Sequence, residues 1–96
     1  MHVHNVYFWL NDDDPDASFE AGIASLTADP NVRYSHYGRP ASTDRDVVEN
    51  SYTYGAVLVF DDRTAHDKYQ AGGAHLQFLE DHMERWDRAV VYDVET

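Results

Sequence analysis

The chain has 96 residues, no cysteine and a formal net charge of −11 at pH 7. That excludes disulfides and thiolate metal sites, makes nucleic acid and anionic membrane surfaces poor partners, and leaves one small domain, residues 1–96, with a marginal core of its own. The longest apolar runs, Val6–Leu10 and Ala56–Phe60, are far too short to span a bilayer. No basic segment precedes an apolar one, so no secretory leader is expected and the cytoplasm is the expected location.

The first strand is read from His2 to Leu10. Strand alternation puts His4, Val6, Phe8 and Leu10 on one face and Val3, Tyr7 and Trp9 on the other. A polar turn follows, and Asp14 before Pro15 predicts a helix from Pro15 to Leu26, with Phe19, Ile23 and Leu26 on its buried side. Residues 27–31 stop that helix, and Val32–Gly38 reads as a second strand. The polar stretch from Arg39 to Asn50 is a long connection. A third strand runs from Thr53 to Phe60, a helical turn from Thr64 to Tyr69, a longer helix from Ala74 to about Arg88, and a last strand from Ala89 to Glu95.

The order β-α-β-β-α-β is that of a split βαβ, or ferredoxin-like, α+β sandwich. Two helices cover one sheet face, yet the strands are apolar on both. Val57 and Val59 oppose Ala56, Leu58 and Phe60, and Val90 and Tyr92 oppose Ala89 and Val91. A second copy packed sheet to sheet is the economical cover, so a homodimer is expected. A charge at Trp9 or Leu58 is expected to disturb it.

In the long helix, Leu76, Leu79, Met83 and Trp86 fall within one quarter-turn, with Phe78 widening that arc and His75 and His82 inside it. His75 sits in the first turn, where exposed N–H groups and burial both disfavour imidazolium. A neutral ring there can accept a proton. Gly72 and Gly73 free the backbone to approach a ligand, Tyr69 offers a phenol to the same space, and His4 lies on the helix-facing side of the first strand. The alternative for each is a packed ring with a satisfied polar tip. No HxxxH or HxxE spacing supports ligation by His4 and His75, and the acidic run Asp12–Asp16 lacks the spaced ligands of a calcium loop. No metal and no cofactor are expected.

Taken in order, the histidine of "HNVYFWL", "YGAVLVFDD", the Tyr-x₅-His of "YQAGGAH", the aromatic of "HLQF" and the Trp and Asp of "WDRAVVYD" resemble the stress-responsive A/B barrel (Dabb) family. The set spans nearly the whole chain and is weakest from Arg39 to Asn50. The resemblance implies a dimeric α+β barrel made from two sheets. Most members have no known reaction; some are polyketide cyclases in which residues matching Tyr69 and His75 bind and deprotonate the substrate, and His4 matches a pocket histidine. It also implies a pocket lined by His4, Val6, Phe8, Phe19, Ile23, Tyr69, His75, Phe78 and Trp86. The family usually shows His-Pro where this chain has Gly72-Gly73, which loosens the loop and removes a possible partner.

Two readings stand. In the first, the chain is a cofactor-free cyclase, isomerase or lyase acting on a small apolar or aromatic carbonyl compound. His75 is then the base, Tyr69 the donor to the carbonyl oxygen and His4 the orienting or relay group, with Val6, Phe8, Phe19, Ile23, Phe78 and Trp86 holding the substrate. In the second, the chain is a non-catalytic, stress-associated dimer that binds a small ligand or none. A dimeric-barrel monooxygenase ranks last, because Asn5 faces away from His4.

Overall fold

The computed structural model describes residues Met1–Thr96. Strand β1 spans His2–Leu10, helix α1 Ala17–Thr27, β2 Tyr34–Gly38, β3 Tyr54–Phe60, α2 Arg63–Ala71, α3 Gly73–His82 and β4 Trp86–Glu95, with a single 3₁₀ turn at Met83–Arg85 before β4. The antiparallel sheet has the order β2-β3-β1-β4, which is the ferredoxin-like arrangement expected. The segment between β2 and β3 forms neither helix nor strand.

Strand β1 is central, and its inward side chains alternate into the core. His2, His4, Val6, Phe8 and Leu10 are buried, while the residues between them are half-buried. Across from them β3 contributes Tyr54, Ala56, Leu58 and Phe60, and α1 adds Phe19, Ile23 and Leu26. Leu58 therefore belongs to the helix side, and a charge there would attack the core of one chain instead of a dimer face. The opposite sheet face carries Val3, Tyr7, Trp9, Val57, Val59, Val90, Tyr92 and Val94, with Tyr92 63% exposed.

Helix α1 starts two residues later than predicted. The Asp16 carboxylate accepts a hydrogen bond from the Phe19 N–H (2.9 Å), and the Asp16 N–H donates to the Tyr54 hydroxyl (2.9 Å). Asp16, not Asp14, is thus the cap. Its neighbours in the acidic run have local roles: Asp13 accepts from the Thr53 hydroxyl and Asp12 from the Asp14 N–H. Asp62 caps α2 by accepting from the Ala65 N–H.

The second correction concerns the long helix, which ends at His82 and not near Arg88. The Asn11 N–H and side-chain amide bond the carbonyls of Arg85 and Glu84, drawing the chain out of the helix and onto β1. Arg85 also pairs with the Asp16 carboxylate. Trp86 consequently opens β4, opposite Leu10 across a register irregularity. The helix buries only one side of the predicted arc. Its buried residues are Phe78 and His82, whereas Leu76 and Met83 are each 55% exposed.

His82 is held by packing. Its ring lies 5.4 Å from Phe19 and 5.0 Å from Phe78, centroid to centroid, over Gly22 of α1. A Cβ at Gly22 would stand 2.5 Å from His82 Nε2 and 2.9 Å from Cδ2. In an unobstructed helix Gly→Ala stabilises by about 1 kcal/mol. Here Gly22→Ala is expected to destabilise the fold by about 1–3 kcal/mol, because the hemmed ring has nowhere to go. Urea denaturation of the two proteins gives the sign directly.

Candidate active site

A cavity of about 190 Å³ opens between the sheet and α2–α3, lined by His4, Val6, Phe8, Leu26, Tyr69, Gln70, His75, Phe78, Leu79, Trp86, Ala89 and Val91. Of the residues expected in the lining, His4, Val6, Phe8, Tyr69, His75, Phe78 and Trp86 meet there. Phe19 and Ile23 do not. Both are fully buried in the core, where Phe19 packs against Phe8 and Phe78 at 5.1 and 5.5 Å and so lies behind the wall. Helical periodicity identified them as inward-facing, but it could not tell core from cavity wall.

Tyr69 reaches the cavity from the last turn of α2 and His75 from the first turn of α3. The break at Gly72 brings them together, with ring centroids 5.1 Å apart at an interplanar angle of 63°. Gly72 is extended, with φ −77° and ψ 161°, and no glycine has a positive φ. The predicted freedom is therefore not used as a left-handed turn. A Cβ at Gly72 would instead crowd the Tyr69 and Lys68 carbonyls at 3.2 and 3.3 Å.

Burial lowers the His75 pKa from the ordinary histidine value, opposed in part by the Gln70 backbone and reinforced by His66 nearby. Its Nδ1 is buried without a hydrogen-bond partner. The ring is thus neutral near pH 7 and free to take a proton. Burial, assisted by the charge of Asp29, pushes the Tyr69 phenol well above the ordinary tyrosine range. Tyr69 stays protonated and can act only as a neutral hydroxyl.

His4 forms the third polar wall. Its Nδ1 lies 2.6 Å from Asp93 Oδ1, a carboxylate placed directly across from it by the β1–β4 register. Burial lowers the His4 pKa and outweighs the raising effect of Asp93. At Asp93 burial raises the carboxyl, but the hydrogen bond from His4 and the nearness of the His4 and His2 rings win and hold it below the usual range. Asp93 is therefore ionised and fixes the His4 ring by accepting from it.

The donor atoms that converge in a ligating geometry are those of His2, His4, His66 and Asp93, all within 4.8 Å of one another. Of these, only His4 was placed in a site from the sequence; His2 and His66 were weighed and set aside, and Asp93 was not considered. The available signal was His2-x-His4, since alternate residues of a strand share a face. Asp93 and His66 needed the register and the helix placement.

A larger concavity of about 490 Å³ lies on the other sheet face, between Tyr7, Trp9, Glu49, Tyr52, Arg88 and Tyr92. Aromatic rings form its walls, with Tyr7 and Tyr52 4.9 Å apart and the Arg88 guanidinium 4.5 Å above Trp9. Its one carboxylate, Glu49, is engaged by the Ser51 N–H and hydroxyl, whereas the smaller cavity holds an unpartnered imidazole nitrogen and is the better candidate for chemistry.

Residues 3–96 match the family model for the stress responsive A/B barrel domain. Among solved structures, a crystal structure of an Arabidopsis thaliana protein is similar over 100% of this chain and 95% of its own, with TM-score 0.81 and 21% identity. A dimeric ferredoxin-like protein of unknown function from Thermobifida fusca is similar over 99% of this chain and 90% of its own, with TM-score 0.73 and 19% identity. A hydroxynitrile lyase from Passiflora edulis is similar over 97% of this chain and 90% of its own, with TM-score 0.73 and 16% identity. No curated protein matches the sequence. No helix is long and apolar enough to cross a membrane. With the fold shared and the family model matching nearly end to end, the chain belongs to the stress responsive A/B barrel domain (Dabb) family.

Proposed function

We propose that this chain is a homodimeric, cofactor-free lyase or isomerase that removes a proton from a small carbonyl-type compound. The observation that carries the reading is the dry, unpartnered Nδ1 of His75 beside a protonated Tyr69 in a largely apolar cavity. His75 accepts the proton, and Tyr69 donates a hydrogen bond to the oxygen on which negative charge develops. His4, held by Asp93, presents a fixed polar edge to the substrate. The cavity's 190 Å³ is below the range of about 300–1,000 Å³ common for ligand pockets, so the substrate is a short acyl or single-ring compound. The Passiflora edulis hydroxynitrile lyase supports a lyase reading because it is a lyase of similar fold. The alternative, a binder that leaves its ligand unchanged, needs no unpartnered base.

Dimerisation rests on the uncovered sheet face, where Tyr7, Trp9 and Tyr92 lie side by side and Tyr92 and Val94 are exposed. The dimeric Thermobifida fusca protein of the same fold supports it. Tyr92→Glu is expected to convert a dimer to a folded monomer, as read by analytical ultracentrifugation with circular dichroism; a wild-type monomer would refute the assembly.

The reaction is tested by NMR, following deuterium exchange from solvent at the carbon next to the carbonyl in a panel of short acyl and aromatic aldehydes and ketones. Wild type is expected to exchange at least one compound, His75→Ala to abolish the exchange, and Tyr69→Phe to slow it about 10²–10³-fold. Equal rates in wild type and His75→Ala would remove His75 as the base.

The same exchange has a predicted pH dependence. A base is active when neutral, so the rate is present above the His75 pKa and lost as pH falls through it. Because that pKa is lowered from 6.5, the acid limb should have its midpoint below 6.5.

A further inference from the structure

Beside the cavity, sharing His4 with it, three histidines crowd one carboxylate. His2 and His66 have ring centroids 4.1 Å apart, His4 and His66 5.1 Å, and His2 and His4 6.5 Å. All three are buried, His66 to 5% exposure. The proposed proton-transfer chemistry makes no use of His2 or His66.

The hydrogen bonds fix which atoms face inward. His66 Nδ1 lies 3.1 Å from the Asp67 carboxylate, so that nitrogen carries the proton and Nε2 carries the lone pair. His66 Nε2 is buried and has no partner. His2 Nε2 comes within 3.1 Å of Asp93 Oδ1, but the approach does not satisfy hydrogen-bond geometry, and this nitrogen too is without a partner. The same Asp93 oxygen takes His4 Nδ1 at 2.6 Å. Two unpartnered, buried imidazole nitrogens and a third buried imidazole therefore surround one oxygen of a carboxylate whose other side meets solvent.

We propose that His2, His4, His66 and Asp93 bind a divalent transition-metal ion of the zinc class, the ion displacing the proton that His4 Nδ1 shares with Asp93 so that the other ring nitrogen of His4 carries the N–H. Three imidazoles and one carboxylate are a borderline-soft, four-donor set suited to such an ion. A tetrahedral ion with bonds of about 2.0–2.2 Å keeps its donors about 3.4 Å apart. The four donor atoms already lie within 4.8 Å of one another, so about an ångström of side-chain movement closes the set. The surroundings match as well. Ligating histidines usually donate their second ring N–H to a carboxylate or carbonyl, as His66 does to Asp67. Arg63 pairs with the Asp67 carboxylate from one turn away and helps hold it in place.

The site joins three distant parts of the chain. His2 and His4 come from the start of β1, Asp93 from the end of β4 and His66 from the middle of α2. Next to it the Met1 amine bonds the Thr96 carbonyl at 2.8 Å and the Thr96 N–H bonds the Met1 carbonyl at 2.9 Å. An ion there would clamp one end of the β1–β4 pair to the helical layer, with binding linked to folding.

The test uses tag-free protein dialysed against chelator and then titrated calorimetrically with zinc chloride. Cobalt chloride in a parallel titration reports coordination through its visible absorption. The expected result is one saturable ion per chain, a four-coordinate cobalt spectrum and a zinc-dependent rise in melting temperature. His66→Ala should weaken binding more than about tenfold, and Asp67→Asn, which keeps every ligand, by about 10–100-fold. Should His66→Ala fail to fold by circular dichroism, Asp67→Asn and His2→Gln decide. His75→Ala should bind zinc as wild type does, which separates this site from the proposed base. Absence of saturable binding, or binding unchanged in the His66 and Asp67 variants, would overturn the proposal by assigning any uptake to surface carboxylates.

Discussion

The pairing of β1 with β4 is the constraint on which the rest of the molecule depends. It runs from His2↔Glu95 to Leu10↔Trp86, and at its buried end it sets His4 directly against Asp93. A hydrogen bond to a charged acceptor contributes about 1–2 kcal/mol when the carboxylate is partly exposed to water. The larger consequence is positional. The same register lays Val91 beside Val6 and Ala89 beside Phe8, which makes the cavity floor, and brings Trp86 against Phe8 at 5.1 Å. A slip of one residue would turn His4, Val6 and Phe8 to the outer face and remove floor and histidines together.

The helical layer completes the site through a discontinuity. One uninterrupted helix from Arg63 to His82 would place Tyr69 and His75 on different turns with a fixed rotation between them. The extended backbone at Gly72 ends α2 and starts α3, so the two rings meet edge to face across the break. Tight packing elsewhere holds that geometry. The aromatic cluster of Phe8, Phe19, Phe78 and Trp86 sits against the cavity with centroids 5.1–6.1 Å apart, near the separations favoured for aromatic pairs. His75 and Tyr69 are therefore supported by rigid elements, as an acid–base pair requires.

Much of this was legible in the sequence because strands have a simple period. The inward set His4, Val6, Phe8, Leu10 and the two-sided character of β1 and β3 follow from alternation alone, and with them the fold. The Tyr69–His75 spacing and the family resemblance led to the cavity. Helix α3 was harder for a physical reason. Hydrophobicity ranks Leu76 and Met83 above histidine, so the apolar arc was drawn to include them. The side that is covered runs through His75, Phe78, Leu79 and His82, all within the predicted arc, and leaves out Leu76 and Met83 at its other edge. Histidine is apolar in its ring body, and Gly22 leaves room for His82 to pack. The helix end was hidden for another reason: Trp86 continues the periodicity, while the signal that stops the helix lies in Asn11, far away in the chain. Phe19 and Ile23 were correctly placed inward, yet wall and core differ only by what lies beside them in space.

The buried histidines raise a question of stability that burial alone does not answer. Leaving a buried donor or acceptor unsatisfied costs about 1–3 kcal/mol, and His2 Nε2 and His66 Nε2 are both in that state. A domain of this size has roughly 5–15 kcal/mol of net stability at most. Apolar side chains at positions 2 and 66 would remove the cost, and Phe60, 6.2 Å from His2 and 5.4 Å from His66, already supplies a hydrophobic neighbour for them. No protein group supplies the missing partners. A bound cation does: each lone pair gains a partner, Asp93 keeps its charge, and the positive charge is concentrated on one ion shared by four donors. His4 then belongs to two environments at once, a metal-side edge fixed with Asp93 and a cavity-side face beside Tyr69, at 6.3 Å between centroids. Its position in the cavity is set by the cluster beside it.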